Sequence, residues 1–237
     1  MLKIGLIGYG SWGKILYSKL KVFTNVKFIC RSKDTYLDKL DQVDWVVVAT
    51  PDNTHYKIVK ECIISGKNVF CEKPLTPTYK QSKELFDLAD KYNVKLYVDD
   101  VQNFRNIDYK LTLNNFIQRK KNSNDMPLDL FYKLAYHDFY FLYNDLKDQK
   151  IKDVKILNVV DNLNFKILYD NFNIEFLYDV HYNGREHNIN SVSMMGKDDI
   201  VLKMLQQVFN DNVNFINNRQ VSLFANKYIE TIINYCK

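Results

Sequence analysis

The sequence LKIGLIGYGSWG joins a short apolar run, Leu2–Ile7, to the glycine-rich turn Gly8–Gly13. A Gly-x-Gly-x-x-Gly turn between an apolar run and an amphipathic segment predicts a buried strand, a tight turn and a helix start. Gly8 suits the tight turn, Gly10 lets a ligand approach the backbone, and Gly13 lets the helix pack closely on the strand. Because the backbone N–H groups at such a helix start can bind a pyrophosphate, the stretch predicts a dinucleotide site.

The first hundred residues alternate short apolar runs with helical patterns. Five runs predict strands: Leu2–Ile7, Val26–Cys30, Trp45–Ala49, Asn68–Cys71 and Lys95–Val98. Runs of this kind are typical of parallel strands that are buried on both faces. Between them, Thr54–Ser65 and Thr78–Tyr92 have helical periodicity, and the second opens with a capping-box pattern. The alternation predicts an α/β fold with an N-terminal doubly wound parallel sheet of Rossmann type.

The second half of the chain has a different pattern. Helical patterns are predicted at Asn106–Lys121, Tyr136–Leu146, Asp198–Asn210 and Gln220–Tyr235, and strands at Val154–Val160, Asn164–Tyr169, Asn173–Val180 and His187–Met194. Asn183-Gly184 is the strongest hairpin signal in the chain. These patterns predict a smaller α+β domain with an antiparallel sheet, and we place the boundary between domains 1–102 and 103–237.

Composition narrows the class of protein. The chain has 237 residues, 46% of them hydrophobic, and a net charge of +5 from interspersed basic and acidic residues. No apolar stretch approaches the roughly 20 residues that span a bilayer, and the N-terminus lacks a signal-peptide pattern, so we expect a cytoplasmic protein. The four cysteines show no paired spacing, which favours reduced thiols over disulfides or a zinc site.

Two further sets of polar residues do not predict a ligand-binding site. The cluster Arg119-Lys120-Lys121 lies at the end of a predicted helix, where basic residues are favourable, so we expect no nucleic-acid binding. His181 and His187 flank the predicted turn without neighbouring Cys or Glu ligands, and we therefore expect hairpin-face residues and no metal.

Three segments follow strands of the predicted parallel sheet, whose carboxyl ends are the usual ligand edge. They are Gly8–Gly13, Ala49–His55 (Ala-Thr-Pro-Asp-Asn-Thr-His) and Cys71–Leu75 (Cys-Glu-Lys-Pro-Leu). Together they resemble the glucose–fructose oxidoreductase / inositol dehydrogenase / MocA (Gfo/Idh/MocA) family of NAD(P)-dependent oxidoreductases. The resemblance is strong over residues 1–105 and weak beyond them.

The resemblance implies a set of cofactor-binding residues. They are Gly8, Gly10, Ser11, Trp12 and Gly13, then Thr50, Pro51, Asn53 and His55, then Glu72 and Lys73. Two of these roles have an alternative. His55 either contacts the cofactor or packs locally in the first turn of its helix, and Glu72 either meets the ribose and nicotinamide side or is a plain surface acid.

By the same resemblance Lys73 is the catalytic acid/base. A partly desolvated lysine beside a cationic nicotinamide has a lowered pKa and can exchange a proton with a substrate hydroxyl. The alternative for such a residue is a solvated surface charge. In this family the Lys–Pro peptide is often cis, so we expect a cis bond between Lys73 and Pro74.

Cofactor choice depends on the end of the second strand. NAD sites usually place an acid there to bind the ribose 2′-hydroxyl. This chain has Arg31, Ser32 and Lys33 instead, with no acid before Asp34. Basic and hydroxyl side chains suit a 2′-phosphate, so NADP is favoured and NAD is the alternative. The alternative is that these are three exposed polar residues of a loop that binds no ligand.

The second domain retains less of the family pattern. The family carries a D-x-G-x-H-x-x-D segment, whose nearest match here is Lys133–Tyr140, and only His137 keeps its place. The resemblance implies that His137 donates a proton or binds substrate, while a core or capping histidine is the alternative. Gln102, Asn103 and Arg105 resemble a substrate-facing family step, and a hinge loop is their alternative.

The function that the resemblance implies is hydride transfer between a nicotinamide cofactor and a hydroxyl or keto carbon of a sugar or nucleotide-linked sugar. In that case residues 1–102 bind the dinucleotide, and 103–237 bind substrate and form a homodimer or larger homo-oligomer. The aromatic residues of 165–180 are expected on the open face of the second sheet. Two alternatives are a reductase of an imine or tetrapyrrole on the same fold and a non-catalytic NAD(P)-binding sensor.

Overall fold

The computed structural model describes residues 1–31, 34–196 and 198–235. Its strands are β1 (Lys3–Ile7), β2 (Asn25–Cys30), β3 (Trp45–Val48), β4 (Asn68–Cys71), β5 (Leu96–Val98), β6 (Asn114–Asn122), β7 (Asp153–Asn158), β8 (Leu163–Leu168), β9 (Asn173–Asp179), β10 (His181–Ile189) and β11 (Val192–Ser193). Its helices are α1 (Ser11–Phe23), α2 (Asp52–Ile64), α3 (Tyr79–Lys91), α4 (Tyr136–Phe141), α5 (Tyr143–Leu146), α6 (Ile200–Phe209) and α7 (Phe215–Tyr235).

The chain divides into two compact units. The first comprises residues 1–104 and 199–226, and the second comprises 105–198 and 227–237. The sequence analysis places everything after residue 102 in one domain, whereas the structure returns 199–226 to the first unit. Each unit is therefore built from two separate segments of the chain.

The first unit contains a five-stranded parallel sheet in the order β2-β1-β3-β4-β5. This confirms the predicted Rossmann sheet and the five predicted strands. The capping-box pattern also forms, because the Thr78 side chain accepts a hydrogen bond from the Gln81 backbone N–H at the start of α3 (3.3 Å). The sheet is buried on both faces, and this explains why its strands are continuous apolar runs.

Helix α6 explains why residues 199–226 belong to the first unit. Its buried residues Met204, Leu205 and Val208 lie in the same apolar cluster as Leu16 and Leu20 of α1. The sequence pattern predicts this helix and its apolar face. It does not specify which sheet the face covers, because several apolar surfaces of similar character are available in the chain.

The second unit contains a six-stranded mixed sheet in the order β11-β10-β6-β9-β8-β7. Strands β6 and β9 pair in parallel, and the other neighbours are antiparallel. The second sheet is therefore mixed, and most of its pairs are antiparallel as predicted. Strands β7, β8 and β9 do form an antiparallel meander, but β6 lies between β9 and β10.

The helix predicted at Asn106–Lys121 is wrong, because much of this segment is strand β6. Burial alternates along the strand, with Asn115, Ile117 and Arg119 turned inward. The cluster of basic residues at 119–121 is therefore in a strand, where Arg119 is a buried charge and not a favourable charge at a helix end. Pairing with two neighbouring strands overrides the local helical pattern here.

The hairpin predicted at Asn183-Gly184 is also wrong. Both residues lie inside β10, which pairs with β6 instead of folding back on itself. The register with β6 shifts between His181 and Arg185, and Gly184 has a φ of 144°. The dipeptide therefore permits a local irregularity in a strand, which is the other common use of glycine at such a position.

The aromatic residues of 165–180 lie on the covered face of the second sheet, and the prediction that they form the open face is wrong. Phe165, Phe176 and Tyr178 are fully buried. Phe139 of α4 lies 5.3 Å from Phe176 between ring centroids. These large apolar rings supply the core of the second unit, and the opposite face carries half-buried polar and aliphatic side chains instead.

No helix within the described residues is both long enough and apolar enough to cross a bilayer.

Candidate dinucleotide and proton-transfer site

The glycine turn has the backbone geometry that its sequence predicts. Gly8 has a φ of 101°, and a Cβ there would lie 2.3 Å from the Ala49 carbonyl oxygen. A Cβ on Gly13 would lie 2.2 Å from the Gly8 carbonyl oxygen. At Gly10 a Cβ would meet nothing within 4 Å. Gly8 and Gly13 are thus required by the fold, whereas Gly10 leaves open space at the start of α1.

The loops that follow the strands lie along one edge of the sheet. Four backbone hydrogen bonds extend the sheet past the strand ends: Gly8 N to Cys30 O (2.9 Å), Ala49 N to Ile7 O (2.8 Å), Glu72 N to Val48 O (2.9 Å) and Asp99 N to Cys71 O (2.9 Å). The three segments singled out in the sequence therefore emerge side by side. A fourth segment, which begins at Asp99, emerges beside them.

His55 is buried between two of these loops, with only 1% of its surface exposed. Its Nδ1 lies 2.9 Å from the Pro74 carbonyl oxygen, and its Nε2 lies 2.9 Å from the Thr50 carbonyl oxygen. Burial lowers the pKa of His55, although the two carbonyl contacts act in the opposite direction. The ring therefore contacts backbone and leaves little surface for a ligand.

The start of α2 places the other residues of the second loop. Pro51 precedes the helix, and the Thr54 hydroxyl lies 2.7 Å from the Thr50 hydroxyl, to which it donates. Pro51 and Asn53 are exposed at this edge, where a ligand can reach them.

Glu72 is held by the glycine turn. The indole N–H of Trp12 donates a hydrogen bond to the Glu72 carboxyl group. Glu72 also lies within hydrogen-bond reach of Asp99, a contact that requires a proton on one of the two carboxyl groups. Burial, and then the neighbouring Asp99 charge, raises the pKa of Glu72 well above its usual value.

Asp99 is a site residue that the sequence analysis missed. It is buried, its carboxylate accepts a hydrogen bond from the Val101 backbone N–H (2.8 Å), and burial raises its pKa. An acid directly after the fifth apolar run was the available signal, because the ends of parallel strands meet at one edge.

Lys73 follows Glu72 and is partly buried. The peptide bond between Lys73 and Pro74 is cis, as the sequence analysis expects. The Lys73 ammonium group lowers the pKa of both Glu72 and Asp99, against the larger effect of their burial. A cation and a proton-sharing carboxyl pair therefore lie together at the sheet edge, which is an arrangement suited to proton transfer.

The loop after β2 contains one described residue of the predicted 2′-phosphate group. The Arg31 guanidinium carbon lies 5.6 Å from the centre of the Tyr9 ring in the glycine turn. The Arg31 backbone N–H donates to the Asp34 carboxylate at 2.7 Å, so this acid is engaged by its own loop. Ser32 and Lys33 lie outside the described residues.

The three residues of the predicted substrate-facing step differ in their surroundings. Gln102 is buried, and the Asn103 amide donates to Asp100 at 3.2 Å, both in the first unit. Arg105 belongs to the second unit, where burial and then the Arg119 charge lower its pKa.

His137 lies on α4 in the second unit. Its Nδ1 lies 2.8 Å from the Tyr140 hydroxyl oxygen, and the ring is half-buried. Lys133, which stands where the family has an acid, forms an ion pair with Asp125. His137 and Tyr140 are therefore two hydrogen-bonded groups of the segment Lys133–Tyr140 that can exchange protons.

The sequence analysis missed a buried polar cluster that surrounds Asp138. Arg119 donates to both of its carboxylate oxygens, and Tyr178 (3.0 Å) and His187 (2.9 Å) donate as well. Burial alone would raise the pKa of Asp138, but Arg119 and then His187 hold it well below its usual value. His187 is thus a buried hydrogen-bond donor, and the prediction of a hairpin-face residue is wrong for it.

No group of three or more His, Cys, Asp or Glu side chains that could hold a metal ion occurs among the described residues.

A model of the Gfo/Idh/MocA oxidoreductase family, described as having an NAD-binding Rossmann fold, matches residues 17–100. Over this segment the chain is similar to the NAD-binding Rossmann domain of the Gfo/Idh/MocA family. The match covers β2 to β5 and the loops that carry His55, Lys73 and Asp99. The similarity to the family therefore lies in the Rossmann part of the first unit.

Three individual proteins show how far the similarity extends. An uncharacterised oxidoreductase of Schizosaccharomyces pombe is 43% identical over 76 residues, which are 32% of this chain and 20% of that protein. The scyllo-inositol 2-dehydrogenase (NADP(+)) IolW of Bacillus subtilis is 28% identical over 121 residues, 41% of this chain and 32% of IolW. The solved UDP-N-acetylglucosamine 3-dehydrogenase GnnA of Acidithiobacillus ferrooxidans has a TM-score of 0.81 at 13% identity, over 98% of this chain and 97% of that one.

The sequence matches and the structural match support different conclusions. The sequence matches span only 20% to 34% of the length of the first curated relatives, three uncharacterised oxidoreductases. The structural likeness extends over the whole chain, but at 13% identity it carries the fold alone.

Proposed function

We propose that this chain binds NADP(H) and transfers hydride between the nicotinamide and a hydroxyl or keto carbon of a sugar or nucleotide-linked sugar. The observation that carries the proposal is the meeting of the glycine turn, the Thr50 loop and the Lys73 loop at one sheet edge. The open space at Gly10 fits the close approach of a pyrophosphate, which a side chain would block. When bound, the nicotinamide supplies or accepts the hydride.

The cofactor would be held by residues of three loops. Gly8, Gly10, Ser11, Trp12 and Gly13 would bind the pyrophosphate side, Arg31 with Ser32 and Lys33 the 2′-phosphate, and Thr50, Pro51, Asn53 and Glu72 the nicotinamide and ribose side. Arg31 supports NADP over NAD, because its guanidinium lies over Tyr9 beside the glycine turn and Asp34 is engaged elsewhere. The relative IolW, named for NADP(+), supports the same choice.

Lys73 would exchange the proton of the reacting hydroxyl. Its ammonium group lies close enough to Glu72 and Asp99 to lower the pKa of both, and these two acids share a proton. Loss of the proton between Glu72 and Asp99 would add a negative charge that favours protonated Lys73. Return of that proton would favour neutral Lys73. His137, hydrogen-bonded to Tyr140, is proposed as a second proton donor or substrate ligand.

The substrate class rests on the relatives. IolW is named for an inositol and GnnA for a nucleotide-linked sugar, and both names describe dehydrogenation of a ring alcohol. A cyclic polyol or sugar derivative is accordingly proposed for this chain.

The first test measures cofactor binding. Trp12 lies in the glycine turn, whereas Trp45 begins β3 and packs against Phe209 (5.1 Å between centroids). The W45F variant therefore leaves Trp12 as the single reporter, and titration with NADPH and NADH should quench its fluorescence, with tighter binding of NADPH. Failure of both cofactors to bind would overturn the proposal.

The second test measures turnover. Inositols, hexoses and UDP-sugars are screened with NADP⁺, and their keto forms with NADPH, while the absorbance of the reduced cofactor is followed. Oxidation of at least one ring alcohol is expected.

A second candidate is a protein that binds NAD(P) without turnover. It is favoured by the segment Lys133–Tyr140, where Lys133 replaces a family acid and pairs with Asp125. Tight NADPH binding with no reaction across the substrate panel would favour this candidate.

A homodimer or larger homo-oligomer through the open face of the second sheet is also proposed. The aromatic residues of 165–180 lie on the covered face, so the support for this proposal is the half-buried apolar and polar surface that includes Phe116, Leu177 and Lys166. Light scattering of L177E, which places a charge on that face, should show a smaller particle than the wild type.

A further inference from the structure

His55 contacts both loops that the proposed function requires, through different atoms. Nδ1 lies 2.9 Å from the carbonyl oxygen of Pro74, the residue after Lys73. Nε2 lies 2.9 Å from the carbonyl oxygen of Thr50, in the loop proposed to bind the nicotinamide side. The ring is buried, so its contacts are with these loops and not with solvent.

The chemistry of the ring makes these two contacts unequal. Both partners are carbonyl oxygens, which only accept hydrogen bonds, and a neutral imidazole has a single N–H. Each neutral tautomer therefore donates to one loop and turns an unprotonated nitrogen to the other. Exchange between the two tautomers lets a neutral ring donate to each loop in turn, and the doubly protonated ring donates to both at once.

We infer that His55 is a positioning residue whose Nδ1 fixes the loop of Lys73 and whose Nε2 fixes the loop of Thr50. This inference rests on the proposed function, since it assigns the two loops to proton transfer and to cofactor binding. It replaces direct cofactor contact as the role of His55.

The two contacts of His55, through Nδ1 and through Nε2, can be tested separately by substitution. An asparagine amide lies near the position of Nδ1, and a glutamine amide lies near the position of Nε2. H55N therefore keeps a donor to Pro74 and loses the donor to Thr50. H55Q keeps a donor to Thr50 and loses the donor to Pro74. The exposed His181 supplies matched controls, H181N and H181Q.

The experiment measures cofactor affinity and turnover for each variant. For H55N we expect the NADPH Kd to rise about fivefold, which is the usual effect of one lost neutral hydrogen bond, with kcat at saturating cofactor near that of wild type. For H55Q we expect the NADPH Kd to stay near that of wild type and kcat to fall at least about tenfold, because Lys73 is displaced. Equal losses in both variants, or none in either, would overturn the inference.

A third measurement needs neither cofactor nor substrate. Acetylation of Lys73 by an amine-reactive ester, followed by mass spectrometry of the protein alone, should change in rate about threefold or more in H55Q and remain near wild type in H55N. If wild type binds no cofactor, the proposed function fails, while this measurement still decides the inference. An unchanged rate of Lys73 acetylation in H55Q would contradict the role inferred for the Nδ1 contact.

A direct measurement on the wild type covers the case in which a variant does not fold. In ¹⁵N-histidine NMR spectra, the His55 ring N–H should exchange with solvent much more slowly than that of His181, because it is buried and hydrogen-bonded. Equally fast exchange at both residues would contradict the two contacts on which the inference stands.

Discussion

Arg119 and Asp138 form a buried ion pair in which Arg119 Nε lies 3.0 and 2.9 Å from the two carboxylate oxygens, and Arg119 Nη2 lies 2.8 Å from Asp138 Oδ1. Tyr178 and His187 donate to the same carboxylate. Strand β6, strand β9, strand β10 and helix α4 are thereby joined through one acid. The acid is next to His137 in the sequence, so this cluster also fixes the helix on which His137 lies.

The first prediction concerns this ion pair. D138N should lower the free energy of unfolding by roughly 3–5 kcal/mol, because it leaves the Arg119 charge buried without its partner. Y178F removes only one donor to the carboxylate and should cost less, roughly 1.5–3 kcal/mol. Denaturant unfolding of the three proteins measures both changes. A D138N protein as stable as the wild type would contradict a structural role for the pair.

The second prediction concerns the pH dependence of stability. Asp100 accepts a hydrogen bond from the Tyr97 hydroxyl (2.6 Å), and burial raises the pKa of Asp100 to about 6. The folded protein then holds a proton that the unfolded chain releases near pH 4. The stabilising effect of this proton is complete below about pH 4 and is lost as the pH rises through about 6.

The Asp100 effect can be isolated with D100N, which does not titrate. Between about pH 4 and 7 the unfolding free energy of wild type should fall relative to that of D100N by up to about 3 kcal/mol. Urea unfolding of both proteins at several pH values measures this difference. Parallel pH profiles would show that Asp100 titrates normally.

The third prediction separates the glycines of the turn. G10A should fold as well as wild type, because its Cβ meets nothing within 4 Å, yet it should lose NADPH affinity by at least about tenfold. G8A is the matched control. It should destabilise the fold by more than about 1 kcal/mol, because Gly8 has a positive φ and its Cβ would clash with Ala49. Undiminished NADPH binding by G10A would argue against a pyrophosphate at this turn.

The fourth prediction concerns cofactor choice. R31A should weaken NADPH binding about tenfold or more, since a charge-assisted hydrogen bond to phosphate contributes roughly 1.5–3 kcal/mol. NADH binding should stay unchanged, because NADH lacks the 2′-phosphate. The W45F background provides the fluorescence assay for both cofactors. Equal losses for NADPH and NADH would assign Arg31 a role other than 2′-phosphate recognition.

The fifth prediction concerns Lys73. K73A should reduce turnover by about a hundredfold or more while leaving the NADPH Kd nearly unchanged, because general acid–base catalysis is lost and cofactor contacts remain. K73R keeps the charge but not a readily lost proton, and it should also be slow. Wild-type turnover in K73A would remove Lys73 from the mechanism.

The parallel sheet and its loops were largely predictable from sequence, because their signals are local. Continuous apolar runs predict strands that are buried on both faces, and the residues that follow them must lie at one edge. The glycine turn, the Lys73 loop and the cis bond before Pro74 all agree with that reading. Asp99 obeyed the same rule and was overlooked.

The second sheet was less predictable, because strand partners are chosen by distant contacts. β6 has a helical pattern locally but pairs with two strands more than fifty residues away, and Asn183-Gly184 lies within β10 because β10 pairs with β6.

What the sequence by itself determined is the order of the Rossmann elements and the identity of the loops at their ends, since periodicity and glycine stereochemistry act within a few residues. Only the tertiary structure decided that Arg119, Tyr178 and His187 all hydrogen-bond to Asp138. It also decided that His55 contacts both Thr50 and Pro74. The physical reason is that a buried polar group must find its partners wherever the packing brings them, and those partners are set by the fold and not by the neighbouring sequence.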